Sequence, residues 1–253
     1  MGKKVLIAAT NYGVWGEELQ APWDKLTAAG HQLTLTTPRG LKPLSLAISV
    51  DKDFVDPLQH YKTNPPEVCD RIIELQRGSE WAKPLKFADA NMADYDALVL
   101  TGGLGAMLDM GNNPALHKLI LDAFHANKLI GGLCYSISAL VFTRDPKNGY
   151  KSVINGKTVT AHPRAWDFDF DLTYELFEPT PDNAGTNVAT PGFLYPLEDI
   201  VIDAVGPNGK CIADATANRD NPRVAFDWPF VTGTSVESSI AYGEKLVEAL
   251  ASR

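Results

Sequence analysis

The stretch LIGGLCYS, residues 129–136, decides the fold. Its first part is a short apolar stretch, which is typical of a strand buried on both faces of a parallel sheet. Cys134 follows directly, and the small residues Gly132 and Ser136 leave room for a sharp strand-to-helix turn. Such a nucleophile elbow holds its central residue in a strained backbone at the carboxyl end of a strand, where open α/β sheets place their ligand sites. This placement favours a reactive Cys134 over the alternative, a buried structural cysteine.

Short apolar stretches alternate with amphipathic ones through the first part of the chain. Strands are expected at residues 5–10, 32–36, 97–101 and 129–133, and helices at residues 17–29, 68–76, 114–126 and just after Cys134. Pro22 predicts a kink or a late start of the first helix. The alternation is typical of an α/β fold with a doubly wound, mostly parallel sheet.

Other segments depart from this alternation. Residues 38–66 are rich in Pro, Asp and Lys, and we expect an insertion after the second strand or a lid. Turn residues predict two added β-hairpins, at residues 153–160 around Asn155-Gly156 and at residues 199–213 around Pro207, Asn208 and Gly209. A late strand at residues 230–233 and a helix at residues 235–250 close the chain.

Composition restricts the partners. The 253 residues, 45% of them apolar, predict a single domain over residues 1–253. A net charge of -8 with scattered Lys and Arg argues against nucleic acid and favours a small-molecule or protein partner. The spacing of Cys69, Cys134 and Cys211 suggests neither a disulfide nor a metal site, and no cofactor is predicted. The apolar stretch at residues 5–10 is too short for a membrane span, so we expect a cytoplasmic protein.

A second glycine-rich turn follows the strand at residues 97–101. Gly102 and Gly103 carry no side chains, so backbone N–H groups there can face a ligand oxygen and form half of an oxyanion hole. The turn lacks the spacing and the lysine of a phosphate-binding loop. A plain strand-end turn is the alternative interpretation.

The order of these pieces resembles the ThiJ/PfpI family, especially its branch of chaperone-like proteins and glutathione-independent glyoxalases (glyoxalase III). The matching segments are GVWGEE at residues 13–18 with Pro22, DYDA at residues 94–97 leading into the glycine turn, the cysteine elbow, and VTG at residues 231–233. The resemblance implies a class I glutamine amidotransferase-like, flavodoxin-like domain that forms a homodimer.

The resemblance also implies roles for single residues. The family's glutamate, four residues before a proline, hydrogen-bonds to the cysteine sulfur, and Glu18 occupies that position. Beside a thiolate this carboxyl should be largely protonated, because two like charges in a partly buried site disfavour each other. Glu18 would then tune Cys134 and move protons.

The residue after the nucleophile departs from the family pattern. Similar glyoxalases carry a histidine there, whereas this chain has Tyr135, and a phenol is a poor base near neutral pH. Some short members of the family place the histidine of a Thr-x-His-Pro segment near the sulfur, which suggests His162. The run at residues 166–171, WDFDFD, lines the pocket with Trp166 in one interpretation and starts an amphipathic helix capped by Asp167 in the other.

Several functions follow from this pattern. The leading hypothesis is a lyase in which Cys134 attacks a small electrophile, nearest to glyoxalase III, which converts methylglyoxal and water to lactate. An isocyanide hydratase-like hydro-lyase is an alternative, because similar hydratases carry a hydroxylated residue after the cysteine. A non-enzymatic redox-sensing or stress-protective protein, including a chaperone-like holdase, is another. Glutamine amidotransfer is disfavoured, because no late Cys-His-Glu arrangement is evident.

Overall fold

A seven-stranded sheet forms the centre of the computed structural model, which describes residues 2–56, 60–167, 173–178, 187–189 and 195–252. Its strands in these ranges are β1 (Lys4–Ala8), β2 (Gln32–Thr37), β3 (Leu85–Lys86), β4 (Ala97–Leu100), β5 (Leu129–Leu133), β6 (Arg144–Asp145), β7 (Lys151–Ser152), β8 (Thr158–Thr160), β9 (Thr173–Glu175), β10 (Asn187–Ala189), β11 (Lys210–Ile212), β12 (Val224–Asp227) and β13 (Phe230–Gly233). The helices there are α1 (Gly16–Ala28), α2 (Pro66–Arg77), α3 (Ala106–Asp109), α4 (Pro114–His125), α5 (Ile137–Phe142), α6 (Leu197–Val205) and α7 (Ser239–Ala251).

The strand order of the central sheet is β12-β13-β5-β4-β1-β2-β3. All neighbours in it run parallel except β12 and β13, which are antiparallel. The inner strands β4 and β5 are buried along their whole length, as expected of strands covered on both faces. The predicted α/β fold with a mostly parallel sheet is confirmed.

Two adjacent glycines in β5 show how closely helices cover the two faces of the sheet. A Cβ on Gly131 would lie 2.3 Å from the hydroxyl of Tyr242 in α7, and a Cβ on Gly132 would lie 3.1 Å from Leu140 in α5. Successive residues of a strand point to opposite faces, so α7 covers one face of β5 and α5 covers the other. Glycine lets Tyr242 lie directly on the strand.

The first helix differs from its prediction. A late start after Pro22 is wrong, because α1 begins at Gly16 and contains Pro22 in its interior. Its packing against α7, where Gly243 approaches the backbone of Pro22, stabilises the helix despite the proline. The acids Glu17 and Glu18 therefore lie in the first turn of α1 and are both buried.

Both predicted β-hairpins are wrong. Asn155-Gly156 does form a turn, with Gly156 at a φ of 77°, but β8 after it pairs in parallel with β11 rather than with the strand before it. Residues 199–213 begin inside α6, whose buried Leu197, Val201, Ala204 and Val205 follow a helical spacing. The turn residues were local signals, whereas the strand partners are set by tertiary packing.

The segment at residues 38–66 leaves the central sheet, and its role as an insertion or lid stays a prediction. Its described part contains a 3₁₀ turn at Ala47–Val50, and Leu44 and Leu46 form a small apolar cluster with Leu176. Ser45 pairs with Val14, next to α1. In the described ranges, no helix is long and apolar enough to cross a membrane.

The close contact at Gly131 gives a stability test. Gly131→Ala should lower the free energy of unfolding by about 1–3 kcal/mol, because the new methyl group overlaps the Tyr242 hydroxyl. In a Tyr242→Phe background the same substitution should lower the free energy of unfolding by less, because the hydroxyl oxygen that the methyl group would overlap is absent. Urea unfolding of the four proteins measures the difference, and an equal cost in both backgrounds would contradict this packing.

Candidate active site

Cys134 lies at a strained elbow at the carboxyl end of β5. Its φ is 55°, a left-handed conformation that residues other than glycine rarely adopt. A 3₁₀ turn at Cys134–Ser136 follows the strand and leads into α5. The hydroxyl of Ser136 accepts a hydrogen bond from the N–H of Leu133 at 3.0 Å and donates one to its carbonyl at 2.7 Å, which holds the turn closed. Only 2% of Cys134 is exposed.

Four groups surround the sulfur of Cys134. The carboxyl of Glu18 faces it, and so do the backbone N–H groups of Gly103 and Tyr135. The hydroxyl of Ser235 lies 3.8 Å away. Three donors thus converge on one side chain, which is the arrangement that stabilises a negative charge on sulfur or on an adjacent oxygen.

The glycine turn after β4 makes this convergence sterically feasible. A Cβ on Gly102 would lie 2.2 Å from Oε2 of Glu18 and 2.7 Å from the Cβ of Cys134, so any other residue would separate the acid from the thiol. Gly103 has a φ of 105° and approaches the backbone of Trp15. The structure brings Gly102 and Gly103 against the sulfur, and their part in catalysis stays a prediction.

Burial controls the protonation of the Glu18 and Cys134 pair. It raises the pKa of Glu18 well above its ordinary value of 4.5, against the lowering effect of the hydrogen bond with Cys134. It also raises the pKa of the Cys134 thiol, and negative charge on Glu18 raises it further, while the three donors oppose this. Two negative charges at this contact disfavour each other, so the pair retains a proton.

His162 belongs to a second group of side chains next to the nucleophile. Its ring stacks on that of Tyr135 at 4.5 Å between centroids, and Trp166 packs edge-on against it at 5.3 Å. Asp167 joins the group, because one of its oxygens accepts the Tyr135 hydroxyl at 2.6 Å and lies 3.0 Å from Nδ1 of His162. The Nδ1 atom therefore lies at ion-pair distance from a carboxylate, although it forms no hydrogen bond with a described residue.

The run at residues 166–171 does not begin a helix in its described part. Trp166 ends a 3₁₀ turn, Arg164–Trp166, and residues 168–171 lie outside the described ranges. Asp167 instead accepts a hydrogen bond from the N–H of Leu197 at 3.2 Å. It thus satisfies a free donor at the start of α6 while holding Tyr135.

Several residues near the site were missed at the sequence level. Ser235 follows β13, and Glu237 lies in the 3₁₀ turn Val236–Ser238 just beyond it. Arg219 comes from the segment between β11 and β12 and pairs with Glu17. None of these residues stands in a recognisable motif. Ser235 and Glu237 follow β13, which lies beside β5 in the sheet. This position at a strand end is the signal that would have indicated them.

No group of three His, Cys, Asp or Glu side chains in the described part of the chain is placed to hold a metal ion. Cys69 and Cys211 are both free thiols, and burial raises the pKa of each, that of Cys211 to about 12.

The adjacent acids of α1 give opposite predictions for stability. Glu18 holds its proton more tightly in the folded chain than in the unfolded chain, so its contribution to stability falls as the pH rises above 4.5 toward the folded pKa. Glu18→Gln removes this loss. The stability of this variant relative to the native protein should therefore increase between about pH 4 and about pH 8.

Glu17→Gln is the matched control. It takes the charge partner from Arg219, so it should lower the free energy of unfolding at neutral pH by about 2 kcal/mol. Chemical unfolding across the pH range measures both variants. Equal destabilisation by Glu18→Gln and Glu17→Gln at about pH 8 would contradict the account of the two carboxyl groups.

Comparisons with curated proteins find weak but extended similarity. The chain is 26% identical over 234 residues to the glutamine amidotransferase-like class 1 domain-containing protein 1 of Bos taurus, covering 90% of this chain and 84% of that protein. It is 31% identical over 75 residues to an uncharacterized protein of Methanocaldococcus jannaschii, where the match spans only 33% of that protein's length.

Solved structures share the fold. The Rapid Encystment Protein 24 KDa of Francisella tularensis superposes with a TM-score of 0.73 at 20% identity, over 98% of this chain and 99% of that one. Glyoxalase III of Candida albicans gives a TM-score of 0.72 at 20% identity, over 98% and 97% of the two chains.

A sequence model described as ThiJ/PfpI family-like matches residues 9–166, more than half of the 253 residues. The match includes the elbow and the glycine turn that carried the resemblance. The predicted family is confirmed: the chain belongs to the ThiJ/PfpI family.

Proposed function

We propose that the protein is a cysteine-dependent enzyme that acts on a small electrophile and that its reaction is closest to that of glyoxalase III, which converts methylglyoxal and water to lactate. One observation carries this proposal. The thiol of Cys134, in its strained elbow, faces a buried carboxyl whose pKa is raised, together with two backbone N–H groups. This arrangement provides a nucleophile, a proton carrier and an oxyanion site.

In the first step, Glu18 as carboxylate takes the proton of the Cys134 thiol. The thiolate adds to the aldehyde carbon of methylglyoxal, and the new carbon–sulfur bond gives a hemithioacetal. The N–H groups of Gly103 and Tyr135 face the sulfur and are available to the oxygen as its charge develops. Glu18 returns its proton to that oxygen, so no charge accumulates in the site.

In the second step, the hemithioacetal isomerises to a thioester. Glu18 removes the hydrogen from the carbon that carries sulfur as a proton, which leaves an enediolate, and the hydroxyl proton passes to the neighbouring oxygen. Glu18 then delivers its proton to the neighbouring carbon. One carbon is oxidised and the other is reduced, so no external oxidant or reductant is needed.

Hydrolysis of the thioester completes the cycle. Water adds to the thioester carbon, the carbon–sulfur bond breaks, and lactate leaves as Cys134 regains its proton. We assign the activation of this water to His162, whose Nδ1 lies 3.0 Å from the carboxylate of Asp167. The hydroxyl of Tyr135 donates to the same carboxylate at 2.6 Å, so it is engaged as a donor and takes no proton from substrate.

Substitutions separate these roles. Cys134→Ser should abolish formation of lactate from methylglyoxal, and Glu18→Gln should lower kcat by about 10²-fold or more. His162→Gln should slow turnover, whereas Tyr135→Phe should retain most of the activity. Proton NMR in D₂O measures lactate, and any solvent deuterium on the carbon next to the carboxylate reports how far Glu18 exchanges its proton with solvent before delivering it.

The other functional hypotheses predict different results. Peroxide oxidation of Cys134 without turnover of any aldehyde would contradict the enzyme and favour a redox sensor. Turnover of an isocyanide but not of methylglyoxal would favour the hydratase alternative. Activity that survives in Cys134→Ser would exclude both cysteine-dependent mechanisms.

A further inference from the structure

Tyr61, Arg219 and Glu237 form a group of interacting polar side chains, the polar wall, and the charge of Glu237 links this group to Glu18. Arg219 anchors it, because its guanidinium donates to the two oxygens of Glu17 at 2.8 and 2.5 Å and also to the carbonyl of Thr63. Glu17 precedes Glu18 in α1 and is only 1% exposed. The ion pair therefore fixes Arg219 at the first turn of α1, the turn that also carries Glu18.

Glu237 approaches the same place from the other side of the site. It comes two residues after Ser235, whose hydroxyl lies 3.8 Å from the Cys134 sulfur, and it is 4% exposed. Its Oε1 accepts a hydrogen bond from Ser238 at 2.9 Å. The charges of His162 and Arg219 act on Glu237, and its own charge acts on Glu18 and Tyr61, so its carboxyl lies among these four side chains.

Each residue of the wall has a buried polar atom without a hydrogen-bond partner in the described part of the chain. These atoms are the hydroxyl of Tyr61, Nε of Arg219 and Oε2 of Glu237. Buried polar groups are nearly always paired, and each unpaired one costs about 1–3 kcal/mol. Three such atoms beside one nucleophile indicate a surface that is satisfied by a polar ligand.

The wall carries no excess positive charge. Glu17 neutralises Arg219 through two hydrogen bonds, and Glu237 adds an acid whose pKa is raised by burial. Burial raises the pKa of Tyr61 to about 12, so its hydroxyl remains a donor. The donors of Tyr61 and Arg219 and the carboxyl of Glu237 can bind alcohol groups, because an alcohol both donates and accepts hydrogen bonds. Burial disfavours negative charge here, as the raised pKa values of Glu237 and Glu18 indicate, and the one cation of the wall, Arg219, is already paired with Glu17, so this surface disfavours a carboxylate on the ligand.

We propose that the polar wall of Tyr61, Arg219 and Glu237 binds the hydroxyl groups of the substrate, which is a neutral, hydroxylated 2-oxoaldehyde rather than an aldehyde bearing a carboxylate. This inference rests on the proposed function, because it names the substrate class of that site. The wall binds and orients the substrate, whereas Cys134 and Glu18 carry out the chemistry.

The first experiment compares two 2-oxoaldehydes. Hydroxypyruvaldehyde, which is methylglyoxal with one added hydroxyl, should have a kcat/KM at least about tenfold above that of methylglyoxal. Tyr61→Phe should reduce the preference for the hydroxylated aldehyde by about tenfold. Tyr150→Phe is the matched control, since Tyr150 is 70% exposed, and it should keep the native preference.

The second experiment does not depend on turnover. Cys134 is alkylated with neutral iodoacetamide and, separately, with anionic iodoacetate, and mass spectrometry quantifies the labelled peptide. The ratio of the two alkylation rates is then divided by the same ratio for free cysteine. Cys134 should prefer the neutral reagent by about tenfold, and Glu237→Gln should narrow this preference. Glu244→Gln, at an exposed acid of α7, should leave the ratio unchanged.

The two experiments distinguish the failure of each proposal. Turnover of methylglyoxal with no preference for the hydroxylated aldehyde would overturn the polar wall and leave the proposed function standing. A neutral preference in alkylation without turnover of any aldehyde would overturn the proposed function and support the wall. Equal labelling by both reagents, or no labelling of Cys134 by either, would overturn the wall as a neutral binding surface.

Discussion

The contact between the carboxyl of Glu18 and the sulfur of Cys134 is the interaction on which the site depends. Both groups depend on an unusual local geometry. Cys134 has a φ of 55°, and the carboxyl of Glu18 occupies space that is open only because residue 102 is a glycine. Such backbone strain persists only where the surrounding structure holds it. Here the hydroxyl of Ser136 closes the turn, and β4 and β13 fix the strand that leads into it.

Burial makes that contact chemically useful. A carboxyl with a raised pKa is a stronger base as its carboxylate, which favours transfer of the thiol proton to it. The next acid along the helix has the opposite fate, because Glu17 is committed to Arg219 by two hydrogen bonds. One helical turn thus holds the proton carrier that we propose, Glu18, next to Glu17, which forms an ion pair, and the two acids differ only in their partners.

The sequence predicted what is encoded locally. The stretch LIGGLCYS was sufficient for the elbow, because a buried strand followed by small residues around Cys134 has few other solutions. The position of Glu18 came from the family resemblance and not from its spacing. The hairpin around Asn155 failed because β8 pairs with β11, a partner about fifty residues later that no local pattern identifies. Arg219 and Glu237 were missed for the same reason: tertiary packing places them in the site.

The side chains next to the nucleophile form a connected group. Tyr135 stacks on His162 and donates to Asp167, and Asp167 also holds the start of α6. The ring of Tyr135 therefore supports the imidazole of His162, and the carboxylate of Asp167 lies next to both side chains. Loss of either ring or of the carboxylate would move the others, whereas Tyr135→Phe keeps the ring that stacks on His162.

The most direct test of the account is the protonation of Glu18 itself. A ¹³C NMR titration that resolves the Glu18 carboxyl, identified by its absence in Glu18→Gln, reports whether the group is charged at each pH. The account predicts that Glu18 titrates well above 4.5 in the folded protein. A carboxyl signal that titrates at or below 4.5 would contradict the shared proton and the mechanism built on it.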